Sequence, residues 1–161
     1  MTYFHKILEA LPYALGSAGI FGLDLTIKNN IEKNKRAGED EKRLKNTLII
    51  RKLHNKGAFL HMGQKNPFLI KAVSVMLTLL LTVLFILTFT KAGNTLLKTG
   101  YSLLLGGAFN NTYDRLKRGY VVDYVSFNVP LPKLRNIVFN ISDFGIMIGA
   151  MLIVISSLGK P

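Results

Sequence analysis

From Ala72 to Thr90 the chain runs for 19 residues without a formal charge. As a helix this stretch crosses about 30 Å, the hydrocarbon thickness of a bilayer. Pro67 suits the first turn of such a helix. Hydrophobic residues make up 49% of the 161 positions and the mean hydropathy is positive. Both point to an integral membrane protein rather than a globular core. The length fits one domain, residues 1–161.

Three further apolar runs accompany this one, which as a span is taken from about 70 to 90. The first covers about 7–27, with Glu9 near its start and Asp24 near its end. An apolar N-terminus after His5 and Lys6 could also be a signal peptide. The run continues into Asp24 and Lys28 without a small-x-small cleavage site, which favours a span. A third span is predicted over about 95–113, with Lys98 snorkelling at one end. The link Lys91 to Asn94 is short enough to make it an antiparallel neighbour of the second. The fourth covers about 137–158 and carries Asp143 in its first two turns. Gly100, Gly106, Gly107 and Ala108, and again Gly145, Gly149 and Ala150, offer small faces for close helix packing in lipid.

Between spans one and two lies a basic stretch, Lys28 to Lys65. Its first half is mostly charge, either solvated or a helical extension of span one. Its second half is strand-like, as is Val121 to Val129, which Pro130 ends. The expected fold is therefore an all-α membrane protein with four transmembrane helices and a small strand-containing cradle.

The net charge of +12 could suggest nucleic acid. The Lys and Arg residues sit in loops between apolar runs, so an anionic lipid surface suits them better. The chain has no cysteine, which excludes disulfides, thiolate metal sites and a cysteine nucleophile.

Alternation of the spans places several polar groups together whichever way the chain is inserted. Asp24 ends span one, and His54 and Asn55 follow in the loop. Asn111 and Asp114 end span three, Asp123 lies in the next loop, and Asp143 begins span four. All fall at one membrane face. Carboxylates beside apolar sequence are costly and mark functional sites. Two aspartates held close share a proton, because both cannot ionise cheaply. Such a pair can activate water and protonate a leaving amine. Asp143 is the best candidate for that role and Asp123 the next. Asp114, with Arg115 beside it, reads better as an ion-paired structural group. Satisfied polar residues tying loops to helix ends remain an alternative for all three, as does a non-catalytic membrane subunit. A metal site using His54 or His61 finds no support in ligand spacing.

The segment GGAFNNTYDRLKRGYVVDYVSF, Gly106 to Phe127, resembles the G-G-A-x-G-N-x-x-D-R…V-V-D-F segment of the lipoprotein signal peptidase (signal peptidase II) family. FNISD, Phe139 to Asp143, resembles its F-N-x-A-D. DLTIK, Asp24 to Lys28, resembles D-Q-x-x-K, and HNKGAF, His54 to Phe59, resembles N-x-G-A-A-F. The resemblance implies an intramembrane aspartyl protease of the bacterial cytoplasmic membrane. Such an enzyme cuts the signal peptide from a diacylglyceryl-modified prolipoprotein, without metal or organic cofactor. It implies Asp123 and Asp143 as the catalytic pair, supported by Asp24, Lys28, Asn55, Gly57, Asn111, Asp114, Arg115 and Asn140. The chain departs from the pattern at Leu25, Asn110, Phe59 and Ser142, and its charged stretch Ile31 to Asn46 has no obvious counterpart.

The resemblance also implies cytoplasmic termini and an extracytoplasmic site; a monomer is expected. Only Lys6, Lys91, Lys98 and Lys160 of the 21 basic residues would then face the cytoplasm. That is the reverse of the positive-inside rule. A basic loop resting on anionic headgroups would give the outer charge a role.

Overall fold

The computed structural model describes residues 3–57, 66–90 and 93–158. Four long helices, a three-stranded sheet and one short helix account for most of them. Helix α1 (Tyr3–Asn34) is followed by β1 (Glu41–Arg43) and β2 (Leu48–Asn55). Helix α2 (Pro67–Leu87) continues into a 3-10 turn, Thr88–Thr90, and α3 (Thr95–Lys117) leads into β3 (Val121–Phe127). A single turn, α4 (Pro132–Arg135), precedes α5 (Ile141–Leu158).

Each boundary has a local cause. Pro67 opens α2 behind Asn66, whose side chain accepts from Leu69 N. Asn94 caps α3 in the same way from a left-handed backbone. Helix α1 outlasts its apolar run by about two turns, with Ile31 buried against Val122 and Tyr124 of β3. The charged stretch after span one therefore starts as helix and then turns into β1.

The fourth helix starts later than the expected residue 137. Phe139 is held as extended chain by two bonds with Val125: its N–H donates to Val125 O (2.7 Å) and its carbonyl accepts from Val125 N (2.9 Å). Helix can begin only at Ile141.

The sheet is antiparallel in the order β1-β2-β3. Leu48 pairs with Phe127 and Asn55 with Val121, with an irregularity between Ile50 and Leu53. Such a bulge re-aims the residues beyond it, and here it brings Leu53 opposite Asp123.

Three described helical stretches are long and apolar enough to cross a membrane: His5–Asn34, Pro67–Thr90 and Ile141–Leu158. By the same measure α3 is long enough but not apolar enough. Its polar residues Lys98, Ser102, Asn110, Asn111, Thr112 and Asp114 are all buried, since it lies among α1, α2 and α5. Lys98 does not snorkel as expected. It is 1% exposed, pairs with Glu9 of α1 and lies 5.1 Å over the Phe89 ring. Close approach of α3 and α5 depends on glycine. A Cβ at Gly107 would run into Ser142 O, and one at Gly149 into Gly100 O.

Candidate active site

The site grows from the C-terminal parts of α1 and α3, the N-terminal end of α5, and β3. Asp24 and Lys28 lie one turn apart on α1 and are both fully buried. An isolated buried ammonium would be prohibitively costly, so it needs charge and hydrogen-bond partners. Lys28 Nζ has four. Asp24 Oδ2 and Asp114 Oδ2 are each 3.1 Å away. It donates to Asn110 Oδ1 at 2.6 Å and to Asn111 Oδ1 at 2.8 Å.

Each partner carries a link outward. Asp24 accepts from the Tyr124 hydroxyl (2.7 Å), from the backbone N–H of Ile141 and Ser142, and from the Ser142 hydroxyl. That fixes the start of α5 and ties it to β3. Burial beside Asp24 pushes the Tyr124 phenol well above its usual range, so it stays a donor. Asp114 accepts from Val122 N at 3.2 Å, fixing the strand on which Asp123 is the next residue.

Asp123 and Asp143 sit at the edge of this hub. Asp123, 3% exposed, accepts from Asn140 Nδ2 (2.7 Å) and Asn55 Nδ2 (3.0 Å). Asp143 accepts from Asn111 Nδ2 (2.9 Å) and from the backbone N–H of Asn140 (3.0 Å). Asn140 returns the second bond, its Oδ1 accepting from Asp143 N at 2.9 Å. This reciprocal pair is a capping box at the start of α5. One residue, Asn140, thus touches both carboxylates. Burial raises the Asp123 pKa to about 7, with the Asp143 charge adding to it; the donors Asn55 and Asn140 and the Lys28 charge oppose the rise.

Arg115 serves the wall of the site. Its guanidinium donates to Gly57 O (2.9 Å) and Asn111 O (3.2 Å), while Gly57 N donates to Asn55 Oδ1. It does not pair with Asp114, as adjacency in sequence had suggested. Successive helical residues point about 100° apart, so the two face different neighbours. Asp114 finds Lys28 and Arg118 Nε (3.0 Å) instead.

A cavity of about 580 Å³ opens onto both carboxylates. Beyond Asn111 and Arg115 its wall is mostly apolar, with Leu77, Leu81, Leu104 and Met147 among its lining.

All ten residues singled out in the sequence take part in this network or its wall. Asn110, Ser142 and Tyr124 belong to it as well. The first two stand where the chain departs from the motif pattern, and the departures supply hub contacts. Tyr124 stands in the place of the Phe of V-V-D-F, and the added hydroxyl, in an otherwise apolar strand, is the group that reaches Asp24. His54 is apart from the carboxylates, bonded to Glu32 (2.7 Å) and stacked on Tyr120. His61, Ala58 and Phe59 lie outside the described residues. No group of three or more potential metal ligands occurs among the described residues.

Comparison with known proteins identifies the family. The family described as "Signal peptidase (SPase) II" matches residues 17–159. The lipoprotein signal peptidase of Mesorhizobium japonicum is 30% identical over 148 residues, covering 91% of this chain and 85% of that protein. That of Clostridium tetani is 35% identical over 119 residues, covering 73% and 74%. A bacterial membrane enzyme solved by the in meso method at 2.3 Å superposes with a TM-score of 0.79 at 25% identity, covering 91% of this chain and 87% of that one. A second such structure, at 1.9 Å, gives 0.75 at 24% identity over 93% and 94% and supports the fold alone. With the family match spanning nearly the whole chain, the protein belongs to the signal peptidase II family.

Proposed function

We propose that the chain is an aspartyl endopeptidase of the bacterial cytoplasmic membrane that removes the signal peptide from diacylglyceryl-modified prolipoproteins. Family membership supports the substrate class. The apolar wall of the cavity suits a lipid-modified peptide. The observation that carries the mechanism is Asn140, which hydrogen-bonds both Asp123 and Asp143 and so holds them as a pair.

Asp143 carries the negative charge and Asp123 the shared proton. Water attacks the scissile carbonyl carbon and gives a proton to Asp143, while Asp123 protonates the carbonyl oxygen. The resulting gem-diol returns one hydroxyl proton to Asp123 as the C–N bond breaks. The leaving nitrogen takes the proton from Asp143, and the pair is restored. Asn55, Asn111 and Asn140 orient the two carboxylates; Asp24, Lys28 and Asp114 hold the helices that carry them. Arg115 and Gly57 shape the wall.

In this reading residues 1–161 form one monomeric peptidase unit and α3 crosses the membrane as a fourth span, shielded from lipid by its neighbours. The termini are cytoplasmic and the carboxylates lie near the outer face. The test is cleavage of a diacylglyceryl-modified prolipoprotein by purified protein in proteoliposomes. Wild type should cut, and Asp123→Asn and Asp143→Asn should each lose essentially all activity. An inactive wild type, or mutants that cut equally well, would refute the proposal and leave a non-catalytic membrane subunit.

A further inference from the structure

The tip of the β1–β2 hairpin, residues 41–47, plays no part in the hub, and most of it falls in the stretch Ile31 to Asn46 that has no obvious counterpart in the family pattern. Its turn holds three successive residues, Leu44, Lys45 and Asn46, at positive φ (47°, 54° and 67°). Leucine rarely adopts that backbone, and this leucine is also 71% exposed at the very tip. Lys42, Arg43 and Lys45 surround it, all exposed.

Local acids are already engaged. Asp40 pairs with Arg51, and Glu41 with both Lys35 and Arg43. Glu39 accepts from the Arg36 backbone N–H. That leaves Lys33, Arg36, Lys42 and Lys45 without a salt bridge among the described residues.

The tip is fastened to the chain that enters the membrane. Asn128 donates from its side chain to Asn46 O (2.7 Å) and from its backbone to Thr47 O (2.9 Å). Leu48 pairs with Phe127. Phe127, itself 40% exposed, packs against Phe144 in the first turn of α5, an apolar span. Exposed Leu131 and Leu134 continue the same rim, with exposed Lys133 and Arg135 between and beside them. Apolar tips alternating with unpaired cations at the level where a span ends match the lipid interface, with apolar groups below and cations at the phosphates.

We propose that this rim, led by the hairpin tip, is a docking surface for the anionic phospholipids of the bilayer that holds the protein. Leu44 enters the acyl boundary while Lys42 and Lys45 meet headgroup phosphates. The surface goes beyond the peptidase reading and does not depend on it. It gives the outward excess of basic charge a binding role.

The absence of cysteine allows a single reporter thiol. Thr47→Cys, carrying an environment-sensitive fluorophore, is placed in nanodiscs of phosphatidylcholine alone or with phosphatidylglycerol. With the anionic lipid, emission should shift to the blue and become quenched by acyl-chain nitroxides. K42Q and K45Q together should reduce the docked-to-undocked ratio roughly fivefold per charge removed. Leu44→Asp should reduce nitroxide quenching even in the anionic discs. Inorganic phosphate should reproduce none of this. Equal signals in both lipids, continued access to an aqueous quencher, or a response to free phosphate alone would each overturn the proposal. The fluorescence is read in the Asp143→Asn background too, so a failure of catalysis and a failure of docking appear separately.

Discussion

Asn55 offers a direct measurement of how the pair is tuned. It donates one bond to Asp123 and none to Asp143. Asn55→Leu keeps much of the side-chain volume and removes the donor. A hydrogen bond to an ionised group contributes about 1.5–3 kcal/mol. At 1.36 kcal/mol per pKa unit this is about 1–2 units. The lost bond favours the charged form, so its removal raises the pKa. Starting from about 7, Asp123 should then titrate at roughly 8–9. In the proposed mechanism Asp123 must hold a proton, so the alkaline limb of kcat/KM reports its loss in the free enzyme. The assay is cleavage of lipid-modified prolipoprotein in proteoliposomes across a pH series. Wild type should lose activity above about pH 7, and the variant only at about one to two units higher. A limb that stays in place while kcat falls would mean that Asn55 only positions the strand, and a limb that moves down would refute the electrostatic reasoning altogether.

Other perturbations probe the hub, the packing and the protonation. Lys28→Met leaves Asp24 and Asp114 without their shared cation. It should cost about 3–5 kcal/mol in detergent unfolding, and the triple change with Asp24→Asn and Asp114→Asn should recover part of this. Gly107→Ala drives a Cβ into the Ser142 carbonyl, costing about 1–3 kcal/mol and disturbing Asp143 one residue on. Gly22→Ala has open space at its Cβ and should unfold at or slightly above the wild-type temperature. Asp123 keeps its proton to about pH 7 when folded but releases it near 3.9 when unfolded. The folded state therefore binds more protons in that window. Stability should fall as pH rises from about 4 to about 7 and level off above, by at most about 4 kcal/mol; unfolding curves of Asp123→Asn should lack this component.

Much of the arrangement was legible in residue order. Four apolar runs announced the four long helices, and alternation alone brought Asp24, Asn55, Asn111, Asp114, Asp123 and Asp143 together. Less legible were the features set by contact rather than pattern. Helix α5 starts late because Phe139 is claimed by Val125, a partner that no periodicity in either segment reveals. Lys98 looked like a snorkelling end residue, yet Glu9, 89 positions away, draws it inward. Asp114 and Arg115 looked paired because they adjoin, whereas helical geometry turns them to different neighbours. Asn110 and Ser142 registered only as deviations, since a polar side chain declares its bonds only once the opposite helix is in place.

The Lys28 hub has a consequence for biogenesis. Helix α3 brings Lys98, Asn110, Asn111 and Asp114 into the bundle and is poorly suited to enter lipid by itself. Lys98 is matched by Glu9 and Asp114 by Lys28, both of α1, with Arg118 adding a second cation for Asp114, and the α3 glycines pack closely against α1 at Gly106 and α5 at Gly107. Insertion thus becomes a checkpoint. A nascent chain that has emitted α1 and α2 can rest in the bilayer, but one halted before Ile141 leaves Asp24 without Ser142 and Asn111 without Asp143. Such a half-built chain leaves those polar groups unmatched in apolar surroundings, where each unsatisfied group costs several kcal/mol. The same contacts that hold the two aspartates in place therefore also make the stability of α3 depend on the arrival of α5.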